Sequence, residues 1–164
     1  MRVRKFGDPF FRDVALRDMV MLWIDPPGKG LPVNHYGLLE YYCDEPGCNC
    51  RRVVLDVVST DLPERIFASI HFGWESLAFY MKWAITRTLG DARLLKKGGL
   101  EPAALHCDWA DVLLAHVRKE VLADPKAVAR FKRHYEMCKR EQRRRAKRVG
   151  EKGGSRLRQK KRDD

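Results

Sequence analysis

Apolar residues come in short alternating runs through the first half of the chain and at helical spacing through the second. Met19–Ile24 is an apolar run stopped by Asp25-Pro26-Pro27-Gly28, a length and a stop that predict a strand. Tyr36–Cys43 and the β-branched Arg51–Thr60 predict two more. In Arg65–Gly73, Ile66, Ala68, Ile70 and Phe72 alternate onto one face, which predicts a fourth. Short turns at 44–47 and 61–64 make the last three an antiparallel meander. Pro46 and Gly47 suit the second and third positions of a type II turn. Residues 1–18 read as an irregular or partly helical lead-in.

Beyond Gly73 the period changes. Leu77, Tyr80, Met81, Ala84, Ile85 and Thr88 predict a helix over Ser76–Leu89, capped by Gly90. Asp91–Leu105 reads as a linker. Asp108 and Asp111 suggest an N-terminal box for a helix reaching about Ala123. Asp124-Pro125 restarts the pattern, with Asp as N-cap and Pro at the first helical position. Val128, Phe131, Tyr135 and Cys138 continue it as a stripe. The stripe then stops, helix formers run on to Val149, and Gly150, Gly153 and Gly154 break the helix. The expected fold is α+β: a small antiparallel sheet of three to four strands covered by about three helices. Residues 1–138 form one domain, and 139–164 form a basic extension, helical and then disordered.

Charge sharpens that division. The 164 residues carry a net charge of +11. Residues 139–164 hold 13 Lys and Arg against 4 Asp and Glu, a net +9, which leaves +2 for the rest. Lys139, Arg140, Arg143, Arg144, Arg145, Lys147 and Arg148 are therefore the candidate nucleic-acid contacts. Such a run attracts polyphosphate, and without an aromatic residue it offers no base stacking. Nucleic acid or a ribonucleoprotein is the expected partner. No run approaches the ~20 apolar residues of a membrane span, and no apolar secretion segment follows the basic Met1–Lys5. The expectation is a cytoplasmic protein with no membrane partner.

Three of the five cysteines, Cys43, Cys48 and Cys50, fall within eight residues at a predicted hairpin tip. In a reducing compartment such spacing points to metal chemistry more than to disulfides. Zinc takes four ligands, mostly thiolates and imidazoles, so the expected cofactor is a structural Zn²⁺ with one ligand still to find. His35 would lie about 25 Å from the tip at the end of an extended strand. His71, opposite the start of the third strand, and His134, on the last helix, are the candidates, with Cys138 one turn beyond His134.

The segments YGLLEYYCDEPGCNCRRVVLDVV, SIHFGWESLAFYMKWA and RHYEMCK resemble an uncharacterised prokaryotic family with a Tyr-Cys-x4-Cys-x-Cys-Arg hairpin, over roughly residues 20–140. The resemblance implies that the hairpin, Gly73-Trp74-Glu75 and His134-Tyr135 form one unit, and so favours His134 over His71. It implies no activity. No P-loop, GxGxxG, GxSxG or HExxH motif is present. Glu40, Asp56, His71 and Glu75 are polar groups in or near apolar elements without a complete catalytic pattern. The expected function is non-catalytic: a zinc-stabilised module on nucleic acid. The alternatives are a protein-interaction module and a metal- or thiol-dependent enzyme.

Overall fold

The computed structural model describes residues 3–6, 11–24, 31–32, 35–62, 65–82 and 88–160, the last twelve by backbone alone. Parts of five expected features lie outside these residues: the lead-in at 1–2 and 7–10, the stop at 25–28, the 61–64 turn at Pro63 and Glu64, the first long helix at 83–87, and the tail at 161–164.

Strands β1 (Val3–Lys5), β2 (Val20–Trp23), β3 (His35–Cys43), β4 (Arg52–Val58), β5 (Ala68–Gly73) and β6 (Gly99–Leu100) form one antiparallel sheet. Its order is β1-β3-β4-β5-β6. β2 shares the outer side of β3 with β1, pairing with His35–Leu38 while β1 pairs with Tyr41–Cys43. The helices are α1 (Arg12–Arg17), α2 (Leu77–Met81), α3 (Leu89–Lys97), α4 (Ala110–Val117) and α5 (Pro125–Lys160), with a π-helical turn at Arg118–Leu122.

The β-branched pattern of β4 sets the core. Val53, Leu55 and Val57 pair in register with Phe72, Ile70 and Ala68, and all six are buried on one face. Leu113 and Val117 of α4 and Phe131 of α5 belong to the same buried cluster. Phe131 is fully buried, so Phe131→Ala costs about 3–5 kcal/mol. The opposite face of β4 carries Asp56, an unusual residue for a β-branched strand. Its carboxylate accepts a hydrogen bond from Ser69 Oγ at 2.6 Å and another from Tyr41, so it is a satisfied polar pair within the sheet.

The expected sheet of three to four strands under about three helices is corrected: the described residues form six strands and five helices. The added strands have three and two residues, too few for a period to register. The segment expected to be a linker contains α3. Thr88 and Asp91 cap it reciprocally, at 3.1 and 2.9 Å, a capping box that was present in the sequence. Gly90, expected as a cap, lies inside that helix. The box expected from Asp108 is absent: α4 starts at Ala110 without a side-chain cap. At Asp124 the expected geometry holds, with Lys126 N–H donating to Oδ1 at 2.9 Å. Past Cys138, α5 runs unbroken through Gly150, Gly153 and Gly154 to Lys160.

Candidate metal centre

β3 ends at Cys43 and β4 begins at Arg52, so the eight residues between form the turn that carries the thiols. Cys48 N–H donates to the Glu45 carbonyl at 3.2 Å, closing a turn with Pro46 and Gly47 at its centre. Gly47 has φ 74°, the left-handed conformation required at the third position of a type II turn. Arg51 also has positive φ, 45°, which for a residue with a side chain costs roughly 1–2 kcal/mol. Its neighbours fix it there. Tyr80 Oη donates to the Arg51 carbonyl at 2.7 Å, and Glu75 N–H donates to Tyr80 Oη at 3.2 Å. The Arg51 guanidinium pairs with Glu75 at 3.1 Å and lies over the Phe79 ring. Tyr135 Oη approaches Asn49 Oδ1 at 3.5 Å and accepts from the Arg51 N–H.

This double reversal brings the Sγ atoms of Cys43, Cys48 and Cys50 within 4.8 Å of one another. Tetrahedral thiolates at ~2.3 Å from zinc stand about 3.8 Å apart, so a small contraction would close the cluster on an ion. Backbone amides face the sulfurs with a regular offset: Glu45 N–H meets Cys43, Cys50 N–H meets Cys48, and Arg52 N–H meets Cys50. Each donor lies two residues after its cysteine and stabilises negative charge on that sulfur.

The electrostatics favour one thiolate in the absence of a cation. A hydrogen bond from Cys50, with help from the Glu45 amide, Cys48 and Lys139, lowers the Cys43 pKa to about 5. The same negative charge, with burial, raises the thiols of Cys50 and Cys48. One anionic sulfur therefore holds two neutral thiols by hydrogen bonds. A bound cation would replace those protons, so metal uptake would release about two protons near neutral pH. Burial also raises the phenols of Tyr80 and Tyr135, so both remain protonated donors.

Among the described residues no fourth side chain joins the three sulfurs. The expected ligand His134 is elsewhere. It is fully buried, with Nδ1 2.7 Å from Glu40 Oε2, Nε2 3.1 Å from Asp18 Oδ2 and its ring stacked on Phe6. Both nitrogens are engaged by carboxylates that hold α5 to the sheet and to the end of α1, so none is left for a metal. His71 faces Glu101 at 3.6 Å, and Cys138 is also outside the group.

The basic run begins at the cysteine-bearing turn between β3 and β4, the knuckle. Lys139, expected among the phosphate contacts, is turned inward with 5% exposure. Its Nζ donates to the Cys43 carbonyl at 3.1 Å and to Gln142 at 3.1 Å, and it lies over the Tyr135 ring. Arg140, Arg143, Arg144, Lys147 and Arg148 are exposed, while Arg145 is half-buried and paired with Glu141 at 3.2 Å. Between α5 and the knuckle runs an open groove of about 940 Å³, lined in part by Arg4, Cys48, Arg51, Tyr135, Lys139 and Arg143. Cys48 is the partly exposed thiol of the three. The braces Tyr80, Tyr135 and Lys139 were not evident from spacing. They lie far from the cysteines in sequence, and the spacing of Tyr80 and Tyr135 shows only that they belong to apolar helix stripes. Comparison with protein-family models, with curated proteins and with solved structures found no match.

Proposed function

We propose that the protein binds zinc through Cys43, Cys48 and Cys50 and associates with nucleic acid or a ribonucleoprotein through the phosphate backbone. The observation that carries this reading is the shared groove, in which the knuckle and α5 line one cationic surface. Thiolates are soft ligands that suit zinc, and the metal would hold Arg51 and the start of β4 against Tyr135 of α5. The fourth ligand would come from solvent or from the bound partner. Phosphate contacts would come from Arg140, Arg143, Arg144, Lys147 and Arg148, with Arg145 and Arg51 at the groove. Lys139 would act as a brace.

Three to five phosphate contacts, at ~0.7–0.9 each, would give a slope of log affinity against log salt of about −2 to −4.5, a loss of roughly 20- to 500-fold between 50 and 200 mM. The test is a salt titration of the full chain with a mixed-sequence RNA and a DNA duplex, before and after chelation. Affinity that is absent near physiological salt, or independent of salt, overturns the reading. A protein partner is the second reading. The observation favouring it is the exposed Met19, Met21 and Trp23 at the outer edge of the sheet, Trp23 at 66% exposure.

A further inference from the structure

At the other end of β4 and β5 from the exposed Trp23, and separate from the knuckle groove, lies a cleft of about 550 Å³. Arg52, His71, Glu101 and Arg118 form its polar floor, and Leu95, Leu100 and Leu114 are among its apolar walls. Its size and its lining of apolar walls around a few convergent polar groups are those of a small-molecule site.

Arg52 and His71 are buried in this floor, and Glu101 and Arg118 are half-buried. The Arg52 side chain is 5% exposed and reaches Glu101 Oε2 at 3.3 Å. His71 Nδ1 faces the same oxygen at 3.6 Å. Together His71 and Arg52 hold the Glu101 carboxyl below its usual range despite burial. Arg118 opens the π-helical turn and donates from Nε and Nη2 to the Gly98 carbonyl at 2.9 and 2.6 Å. Insertions of this kind in helices recur at functional sites.

His71 Nε2 is buried without a hydrogen-bond partner. A buried polar atom left in this state is costly and rare. A Cβ at position 99 would stand 2.8 Å from that nitrogen, so Gly99 keeps open the space beside it. The charges decide the class of ligand. Two guanidiniums face one carboxylate on the floor. Asp91 and Asp111 bring the whole lining to two arginines against three carboxylates, but both aspartates are exposed and screened by solvent, while Arg52 and His71 are buried.

We infer that this cleft binds a small organic carboxylate, its anionic group received by Arg52, Arg118 and the imidazolium form of His71 (Nδ1–H toward Glu101, Nε2–H toward the ligand), and its apolar body lying on Leu95, Leu100 and Leu114. A polyphosphate would need more cations than the floor holds, and a wholly apolar ligand would leave His71 Nε2 unpaired. The inference stands independently of the zinc and nucleic-acid reading.

The test is calorimetric titration of the full chain with octanoate and with octanol, followed by the imidazole ¹⁵N resonances of His71. Octanoate is expected to saturate the protein and shift His71 Nε2, with octanol at least about tenfold weaker, a gap of the size one charged contact supplies. His71→Gln is expected to weaken octanoate by a similar factor, and Gly99→Ala to abolish it by filling the space beside the ring. Equal affinity for octanol overturns the inference, as does octanoate binding unchanged in His71→Gln. Failure of octanoate to saturate the wild-type protein at millimolar concentration also overturns it. The octanoate–octanol comparison uses only the wild-type chain, so it decides the matter even if a variant fails to fold.

Discussion

Tyr80→Phe isolates the bracing of the knuckle from its thiols. The ring is fully buried and the substitution leaves its packing in place. It removes the hydroxyl that donates to the Arg51 carbonyl at 2.7 Å and accepts from the Glu75 amide at 3.2 Å. Each lost bond leaves a partly buried backbone group unsatisfied, at about 1–1.5 kcal/mol apiece. The sum is about 2–3 kcal/mol, or a Tm lower by roughly 5–10 °C for a chain of this size. Part of the loss would fall on the affinity for a bound metal. Arg51 sits at φ 45° between two of its fixed neighbours and the strand that follows Cys50. Freed from Tyr80, it relaxes toward ordinary backbone angles and carries Cys50 with it. Zinc affinity, measured by competition with a chromophoric chelator, is expected to fall about tenfold, the equivalent of 1.4 kcal/mol. A Tm within about 1 °C of wild type would refute the bracing argument, since one buried hydrogen bond alone is worth more than that. A lowered Tm with unchanged zinc affinity would refute the link between Arg51 and the thiols.

Other outcomes follow from the same geometry. Gly47→Ala adds a Cβ that meets nothing within 4 Å, so its cost is the positive φ alone, about 1 kcal/mol, read as a small drop in Tm. Gly73→Ala adds a Cβ that would overlap the Tyr80 hydroxyl, so it is expected to lose more stability than Gly47→Ala and to lower zinc affinity as Tyr80→Phe does. Replacing Arg143, Arg144 and Lys147 together by Ala is expected to flatten the salt slope by about 2–3, at ~0.7–0.9 per contact, with little change in Tm because all three are exposed. Arg17, His134 and Arg133 hold the Asp18 carboxyl down at about 2, against an ordinary value of 3.8. A depressed carboxyl contributes stability that is full above its ordinary value and is lost as pH falls through the folded value. Wild-type Tm should therefore drop between about pH 4 and 2 more steeply than that of Asp18→Asn, in thermal scans across that range.

The parts of the fold read from sequence were those with a strong local signal. β2 and β3 have dense apolar patterns and β4 a β-branched one, and Pro46-Gly47 encodes its turn directly. Asp124-Pro125 does the same for the start of α5. The failures have physical reasons too. β1 and β6 owe their pairing to long-range partners, Tyr41–Cys43 and Ile70–His71, which no local window contains. α3 was hidden behind Gly90 and two lysines, although its capping box was in plain view at Thr88 and Asp91. At the candidate site, the three cysteines were legible because turn and spacing lie within eight residues. For the fourth ligand, strand register points to His71, while the resemblance and the docking of the last helix point to His134. His134 satisfies that docking only coarsely, because its helix also passes the buried carboxylate Glu40, and an imidazole between Glu40 and Asp18 is fully engaged there. Lys139 shows the same limit: its charge counted toward the basic run, while its position one turn beyond Tyr135 directs the ammonium to the Cys43 carbonyl.

The metal is the central claim, and its content in the freshly purified, reduced full chain tests it most directly. Elemental analysis is expected to give about one equivalent of zinc per chain, and exchange with Co²⁺ to give the intense visible bands of a tetrahedral site with a thiolate charge-transfer band in the near ultraviolet. Less than about half an equivalent of zinc, with no thiolate band on adding Co²⁺ to the reduced protein, would contradict the account and leave Cys43, Cys48 and Cys50 as three hydrogen-bonded thiols.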